Sequence, residues 1–341
     1  GLSYAMLCRP MTAAGVGFPF GVWLCWWSAK RLRQQHSTTP RPVPILFAMA
    51  IPILAGIGLQ LIYNKSITGR ALESPYQLYT EIYTPRHGYG FNNVIRGERH
   101  LGPKVLDSYD RWAENLTPAL AIRKLGIRWR ESGRWTLGLV PLVSVVAMLI
   151  CRWKSWSSDL KLVVASIVCL HLAHIPYWFE GIMGWHYVFE SAPLWAVVLG
   201  VVTADFFRWC RESGHPAIRW WWSGMLITSL LVSWISVPGI WSARMQRGLS
   251  EVAFSRNRYR QFDDMLSTQV TPPAIILIQH NPDEVHIDYV NNTPDLNGPI
   301  LRARAPQDPI QLRRAASLFP DRNVWLFDVR ARQLRQLSGP H

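Results

Sequence analysis

Acidic residues are scarce in this sequence: 22 Asp and Glu stand against 36 Lys and Arg, for a formal net charge of +14 over 341 residues. Charge of either sign is thin, at 17% of the chain. Cysteine is limited to Cys8, Cys25, Cys151, Cys169 and Cys210, and none of the spacings between them suits a metal-ligand set or a disulfide framework. All five fall within apolar stretches or beside them, so they are expected to be buried apolar fillers. Missing altogether are a Walker loop, a dinucleotide fingerprint, a zinc motif and a nucleophile elbow. A soluble enzyme built on one of those sites is thereby excluded.

What the sequence does contain is long apolar runs. Val43 to Tyr63 carries no charge and approaches the roughly 20 apolar residues that cross a hydrocarbon core. Similar stretches are Thr12 to Trp27, Trp135 to Cys151, Leu160 to Trp178, Val188 to Phe207 and Trp220 to Trp241, which predicts about six transmembrane segments. The Lys and Arg residues flank these runs instead of gathering on one soluble face, which argues for a membrane surface as partner and against nucleic acid. Tryptophans cluster at the ends of the runs, at Trp26, Trp27, Trp135, Trp178, Trp185, Trp220, Trp221, Trp222 and Trp241, where indole suits the headgroup region. Packing between helices is the alternative for some of them. The chain also opens inside a hydrophobic segment, which carries the expectation that further helices precede Gly1.

Charge asymmetry sets the expected topology. Ser28 to Pro42 contains Lys30, Arg31, Arg33 and Arg41 with no acid, which assigns it to the cytoplasmic side. The connections holding Arg152, Lys154 and Lys161, and then Arg208, Arg211 and Arg219, fall on the same side, while the connection around Glu180 falls outside. The expected layout is transmembrane helices over 1–63, a long non-cytoplasmic loop over 64–134, further transmembrane helices over 135–242, and a small non-cytoplasmic α/β domain over 243–341.

Within the loop, Thr117-Pro118 reads as a helix start, a capping residue followed by proline at the first helical position. The helix runs on toward Trp129. Ile122, Leu125 and Trp129 share one face, and Arg123, Lys124, Arg128, Arg130 and Arg134 form a basic remainder, as in a helix lying at a lipid interface. A solvated basic face is the alternative. In the tail, Ser250 to Leu266 predicts a helix, Ala274 to Gln279 and Asn323 to Val329 predict buried strands, and Pro309 to Phe319 a helix between them. Asn292 to Gly298 is turn chemistry, and Asn291-Asn292-Thr293 is formally a glycosylation sequon.

Polar residues at membrane depth or at span ends are functional candidates by default. They are Arg9, His171, His174, Glu180, His186 and Glu190. His171 and His174 are expected to be core groups bonded between helices.

Gly1 to Ala13 with its Arg9-Pro10-Met11-Thr12-Ala13 ending, Gly88-Tyr89-Gly90-Phe91 followed by Thr117-Pro118, Gly184-Trp185-His186-Tyr187 with Glu190 and Pro193, and Asp295-Leu296-Asn297-Gly298 together form a pattern. It resembles the C-terminal half of bacterial polytopic glycosyltransferases of the C-type fold, which include protein mannosyltransferase-like and lipid A aminoarabinose transferase-like enzymes. Two positions depart from it: Leu116 stands where histidine is usual, and His186 where arginine is usual. The resemblance implies a location in the bacterial inner membrane, within the cell envelope, and transfer of a sugar from a polyprenyl-phosphate carrier to an acceptor on the non-cytoplasmic side. It also implies a catalytic carboxylate in a first outside loop ahead of Gly1. Some members use a divalent cation, so the cofactor question stays open. Arg9, Arg86 and His186, all on the expected outside face, are the candidate residues for binding the lipid phosphate, whose developing charge cations would stabilise. The competing classes are a transporter, for which no internal repeat is found, and a non-catalytic membrane scaffold.

Overall fold

Prolines open many of the helices, at the first-turn position where the missing N–H is not needed. In the computed structural model, which describes residues 1–33, 42–98, 107–239, 243–279, 287–306 and 308–338, the chain divides into two compact units, Gly1–Ile235 and Ser236–His341. The first is helical: α1 (Leu2–Cys8), α2 (Pro10–Arg33), α3 (Pro42–Thr68), α4 (Pro75–Tyr83), α5 (Asn93–Gly97), α6 (Asp107–Arg111), α7 (Pro118–Thr136), α8 (Leu139–Cys151), α9 (Ser158–Ala173), α10 (Ser191–Glu212) and α11 (Pro216–Trp234).

Each of the six apolar stretches contains a helix. Among the described residues, Val43–Thr68 and Ser191–Glu212 are long and apolar enough to cross a membrane, and the α7–α8 pair, bent by 107°, would be a third if it counts as one span. The stretch from Trp135 therefore straddles a bend, made at Gly138 with φ +85°. Trp26, Trp220 and Trp221 are exposed, whereas Trp178 and Trp222 are buried in protein; Trp241 lies outside the described residues.

The core of this unit joins α8, α9, α10 and α11 through Val145, Leu149, Ile167, Trp195, Val198, Val202 and Trp222. α2 crosses α9 closely, with the Ser166 hydroxyl donating to the Val16 carbonyl at 2.8 Å. α3, by contrast, buries little: only 6% of its apolar window is covered. The cysteines correct the expectation that all are buried. Cys8, Cys25 and Cys151 are exposed, Cys169 is half-buried and only Cys210 is buried, because the first three sit on helix faces with little protein against them.

The second unit is an α/β domain comprising α12 (Arg244–Gln269), β1 (Ala274–Gln279), β2 (Ile300–Arg304), α13 (Pro309–Ser317), β3 (Asn323–Asp328) and β4 (Gln333–Ser338). The sheet runs β2-β1-β3-β4, parallel except for β4. β1 is buried on both faces, as a central parallel strand should be. Ile276, Ile278 and Phe327 meet Phe262 and Leu266 of α12, while Ile275, Leu277, Val324 and Leu326 meet Leu312, Ala315 and Ala316 of α13. The two helices thus cover opposite faces of the sheet. At the β2 edge the Asn292 amide donates to the Arg302 carbonyl at 2.7 Å and accepts from the Arg302 N–H at 2.8 Å, standing in for a neighbouring strand.

A Cβ at Gly15 would lie 2.7 Å from the Leu170 Cα, which is backbone and has no rotamer to yield, whereas one at Gly21 would meet open space. Gly15→Ala is expected to destabilise the protein by about 1–3 kcal/mol, the usual range for overpacking. Gly21→Ala is expected to stabilise it by up to ~1 kcal/mol. A pair of thermal melts showing equal effects would contradict the close α2–α9 crossing.

Candidate functional site

α9 ends at Ala173, and the chain from His174 to Glu190 is mostly irregular before α10 begins. Carbonyls at a helix end and in irregular backbone beyond it lack ladder partners and need donors, and here Arg128 of α7 supplies three. Its guanidinium, fully buried, donates from Nη1 to the His174 carbonyl at 2.6 Å and from Nη2 to the carbonyls of Tyr177 at 2.6 Å and Phe179 at 3.0 Å. One turn earlier Lys124, also buried, forms ion pairs with Glu114 and with Glu180, the latter at 2.8 Å. The inward face of α7 therefore carries Ala121, Lys124, Arg128 and Glu131, and Ile122 points outward at 72% exposure. This corrects the reading of Lys124 and Arg128 as part of a basic outer face: they are buried because carbonyls and carboxylates brought in from distant segments meet their charge. The helix starts as expected, with the Thr117 hydroxyl accepting from the Leu120 N–H.

The segment from Thr84 to Thr117 lies against the same region. The Gly90 N–H donates to the Pro176 carbonyl at 2.7 Å, and φ of +119° at Gly90 is a conformation that a glycine adopts without strain. Asn93, fully buried, accepts from the Leu116 N–H at 2.6 Å through Oδ1 and donates to the Arg86 carbonyl through Nδ2. Leu116 packs in an apolar cluster with Ala113, Ala121, Tyr177 and Trp178. Arg86 forms an ion pair with Asp110 at 3.6 Å, and the same carboxylate accepts the Arg86 N–H at 2.8 Å. Burial raises the Asp110 carboxyl above its ordinary value, against the Arg86 N–H bond and the His87 and Arg86 charges, which lower it. His87 stacks on Tyr109 and donates from Nε2 to its carbonyl at 2.8 Å. Burial holds this imidazole below its ordinary value, while that hydrogen bond and Asp110 pull it up.

Arg9 occupies the break between α1 and α2. Its Nη1 donates to the Glu190 carboxylate at 2.8 Å, Nη2 approaches the His186 Nε2 at 3.4 Å, and the guanidinium lies 5.2 Å from the centre of the Phe189 ring. His186 reaches this position after a turn with positive φ at Gly181, Met183 and Gly184. At Gly181 a Cβ would run into the His186 Cβ at 2.4 Å. Burial, then the Arg9 charge, lowers the His186 basicity, and Glu190 opposes this in part. The imidazole is neutral at pH 7 and its Nε2 can accept.

A layer of tyrosines adjoins this cluster. Tyr89 stacks on Tyr177 with ring centres 4.8 Å apart, and the Tyr177 and Tyr187 hydroxyls are 3.3 Å apart. Burial raises the Tyr89 phenol, as it does that of Tyr187. Both phenols stay protonated as neutral hydrogen-bond donors.

The structure thus brings Arg9 and His186 together and adds Glu190, while Arg86 pairs with Asp110; among the described residues no hydrogen bond or ion pair joins Arg86 to the other two. His171 and His174 are buried, but each donates to a carbonyl four residues back in its own helix, Ile167 and Leu170. Between helices, His171 also stacks on Trp129 of α7, at 4.1 Å. Reasoning from sequence missed the Arg128 clamp, whose only local sign is a basic residue on an otherwise polar helix. Among the described residues no group of three or more His, Cys, Asp or Glu side chains is placed to hold a metal ion. Comparison with protein-family models, curated proteins and solved structures finds no match to this chain.

Replacing Arg128 with Met, which keeps the volume, leaves three carbonyls without their donor. Bonds to charged groups contribute about 1.5–3 kcal/mol each, so the loss of stability is expected to be at least about 2 kcal/mol; an unchanged denaturation midpoint would remove the clamp from the fold's main supports. For His87, a folded-state basicity below the unfolded value means that protonation favours unfolding. Stability is full above the unfolded value of about 6.5 and falls as pH drops through it. His87→Gln should flatten that decline in melts at pH 7.5, 6.5 and 5.5.

Proposed function

We propose that the chain is an integral membrane protein whose first unit crosses the bilayer through about six helices, with the 64–134 loop and the tail on the non-cytoplasmic side. Its role in this reading is glycosyl transfer from a polyprenyl-phosphate carrier. The observation that carries the proposal is the meeting of Arg9 and His186, residues far apart in the sequence, at a helix break beside a layer of tyrosines.

An acceptor hydroxyl, deprotonated by a carboxylate base, attacks the anomeric carbon as the carrier phosphate departs with the bonding electrons. Arg9 would hold that phosphate by charge-assisted hydrogen bonds, which are the stronger kind. Glu190 now occupies one edge of its guanidinium, so the phosphate either takes the remaining donors or displaces the carboxylate. Arriving negative charge would favour protonation of His186, turning its Nε2 into a second donor. The general base is assigned to none of these residues.

The Arg9–Glu190 pair also favours a second reading, a non-catalytic scaffold or a transporter, because a satisfied ion pair needs no ligand. A labelled polyprenyl-phosphate sugar offered to the protein in vesicles separates the classes: transfer to an acceptor supports the transferase, flux supports the transporter, and neither supports the scaffold.

Carrier-lipid binding tests the site itself. Arg9→Ala is expected to weaken it about 10- to 100-fold, the equivalent of one charge-assisted bond, and Glu190→Gln to strengthen it by freeing the guanidinium. Binding should also tighten as pH falls through the His186 titration, since the bound state holds the extra proton. Undiminished binding in Arg9→Ala would remove the phosphate role.

A further inference from the structure

α12 does two different things along its length. Its second half packs on the sheet through Tyr259, Phe262, Met265 and Leu266. Its first half presents Met245, Leu249 and Val252, spaced by four and three residues and hence on one face, and all three are exposed, Val252 at 70%. Arg256 and Arg260 continue that same face and are also exposed. Residues 235–243 join this helix to α11, whose Trp220, Trp221, Leu230, Leu231 and Trp234 are exposed in turn.

An apolar stripe running into arginines is the arrangement that sits at the boundary between acyl chains and headgroups, where long basic side chains reach up to phosphates. Positive charge on the stripe's own face selects an anionic surface. We propose that the first half of α12 lies in the interface of an anionic bilayer, with Met245, Leu249 and Val252 among the acyl chains and Arg256 and Arg260 on lipid phosphates. The inference rests on the membrane reading of the first unit and goes beyond it by tying the tail to the bilayer.

The experiment uses the full chain in nanodiscs with its native cysteines replaced and a nitroxide at one of three sites: Leu249→Cys on the stripe, Ser250→Cys on a different exposed face of the same helix, and Leu54→Cys on α3. Collision with oxygen against a water-soluble nickel complex reports depth. The expected result is a lipid signature at 54 and 249 and a water signature at 250. Lipid at 54 with water at 249 overturns the α12 proposal and leaves the membrane reading standing; water at 54 overturns both. Because replacing the cysteines can perturb folding, hydrogen exchange of the unmodified chain provides a second measurement. Amides of residues 245–256 should exchange at least several-fold more slowly in discs containing phosphatidylglycerol than in phosphatidylcholine alone, with 262–269 unchanged. Equal exchange in the two lipids overturns the proposal.

Discussion

A buried guanidinium with three backbone carbonyls in its grasp holds the irregular segment between α9 and α10 in place. Removing a charge from water is costly, and the cost is met only when the partners are close and well aligned. Arg128 meets that condition at Nη1 and Nη2, through carbonyls of His174, Tyr177 and Phe179, while its Nε is buried without a hydrogen bond among the described residues. Lys124 adds a second tie from the same helix face, to Glu180. Together they fix the segment that leads to His186 and Glu190, and so the position of the groups facing Arg9. The clamp touches neither Arg9 nor His186 in any bond described, yet the spacing of that site depends on it.

Charge in this unit is handled pairwise. Arg9 meets Glu190, Arg86 meets Asp110, Arg152 meets Asp205, and Lys124 bridges two glutamates. Among the described residues of this unit the buried carboxylates of Asp110 and Glu131 each have a basic partner, and Arg128 is a buried base whose charge is met by carbonyls instead.

Much of the architecture was legible in the sequence because its signals are local. Thr117-Pro118 started a helix, the apolar runs formed helices, and Ala274 to Gln279 formed a strand. What escaped was non-local. The bend at Gly138 interrupts no apolar pattern, since Leu137 and Leu139 flank it. Arg128 reads as surface until the carbonyls 46 to 51 residues away are known. β2 and β4 hide behind their arginines and glutamines, as edge strands with one wet face do. Of the candidate site, the Arg9–His186 meeting was reachable only by assigning both to the same side of a membrane, and Arg86 went elsewhere because Asp110 lies near it.

The edge of β2 has a chemical vulnerability of its own. Asn292 closes that edge by donating through Nδ2 and accepting through Oδ1 at once. Hydrolysis of this amide to a carboxylate would leave the acceptor but turn the donor into a second acceptor facing the Arg302 carbonyl. Two oxygens would then oppose each other where a bond had been, and the strand edge would open. Slow deamidation, with no change in chain length or core packing, would thus free the Arg302 carbonyl on the β2 edge for pairing with another chain.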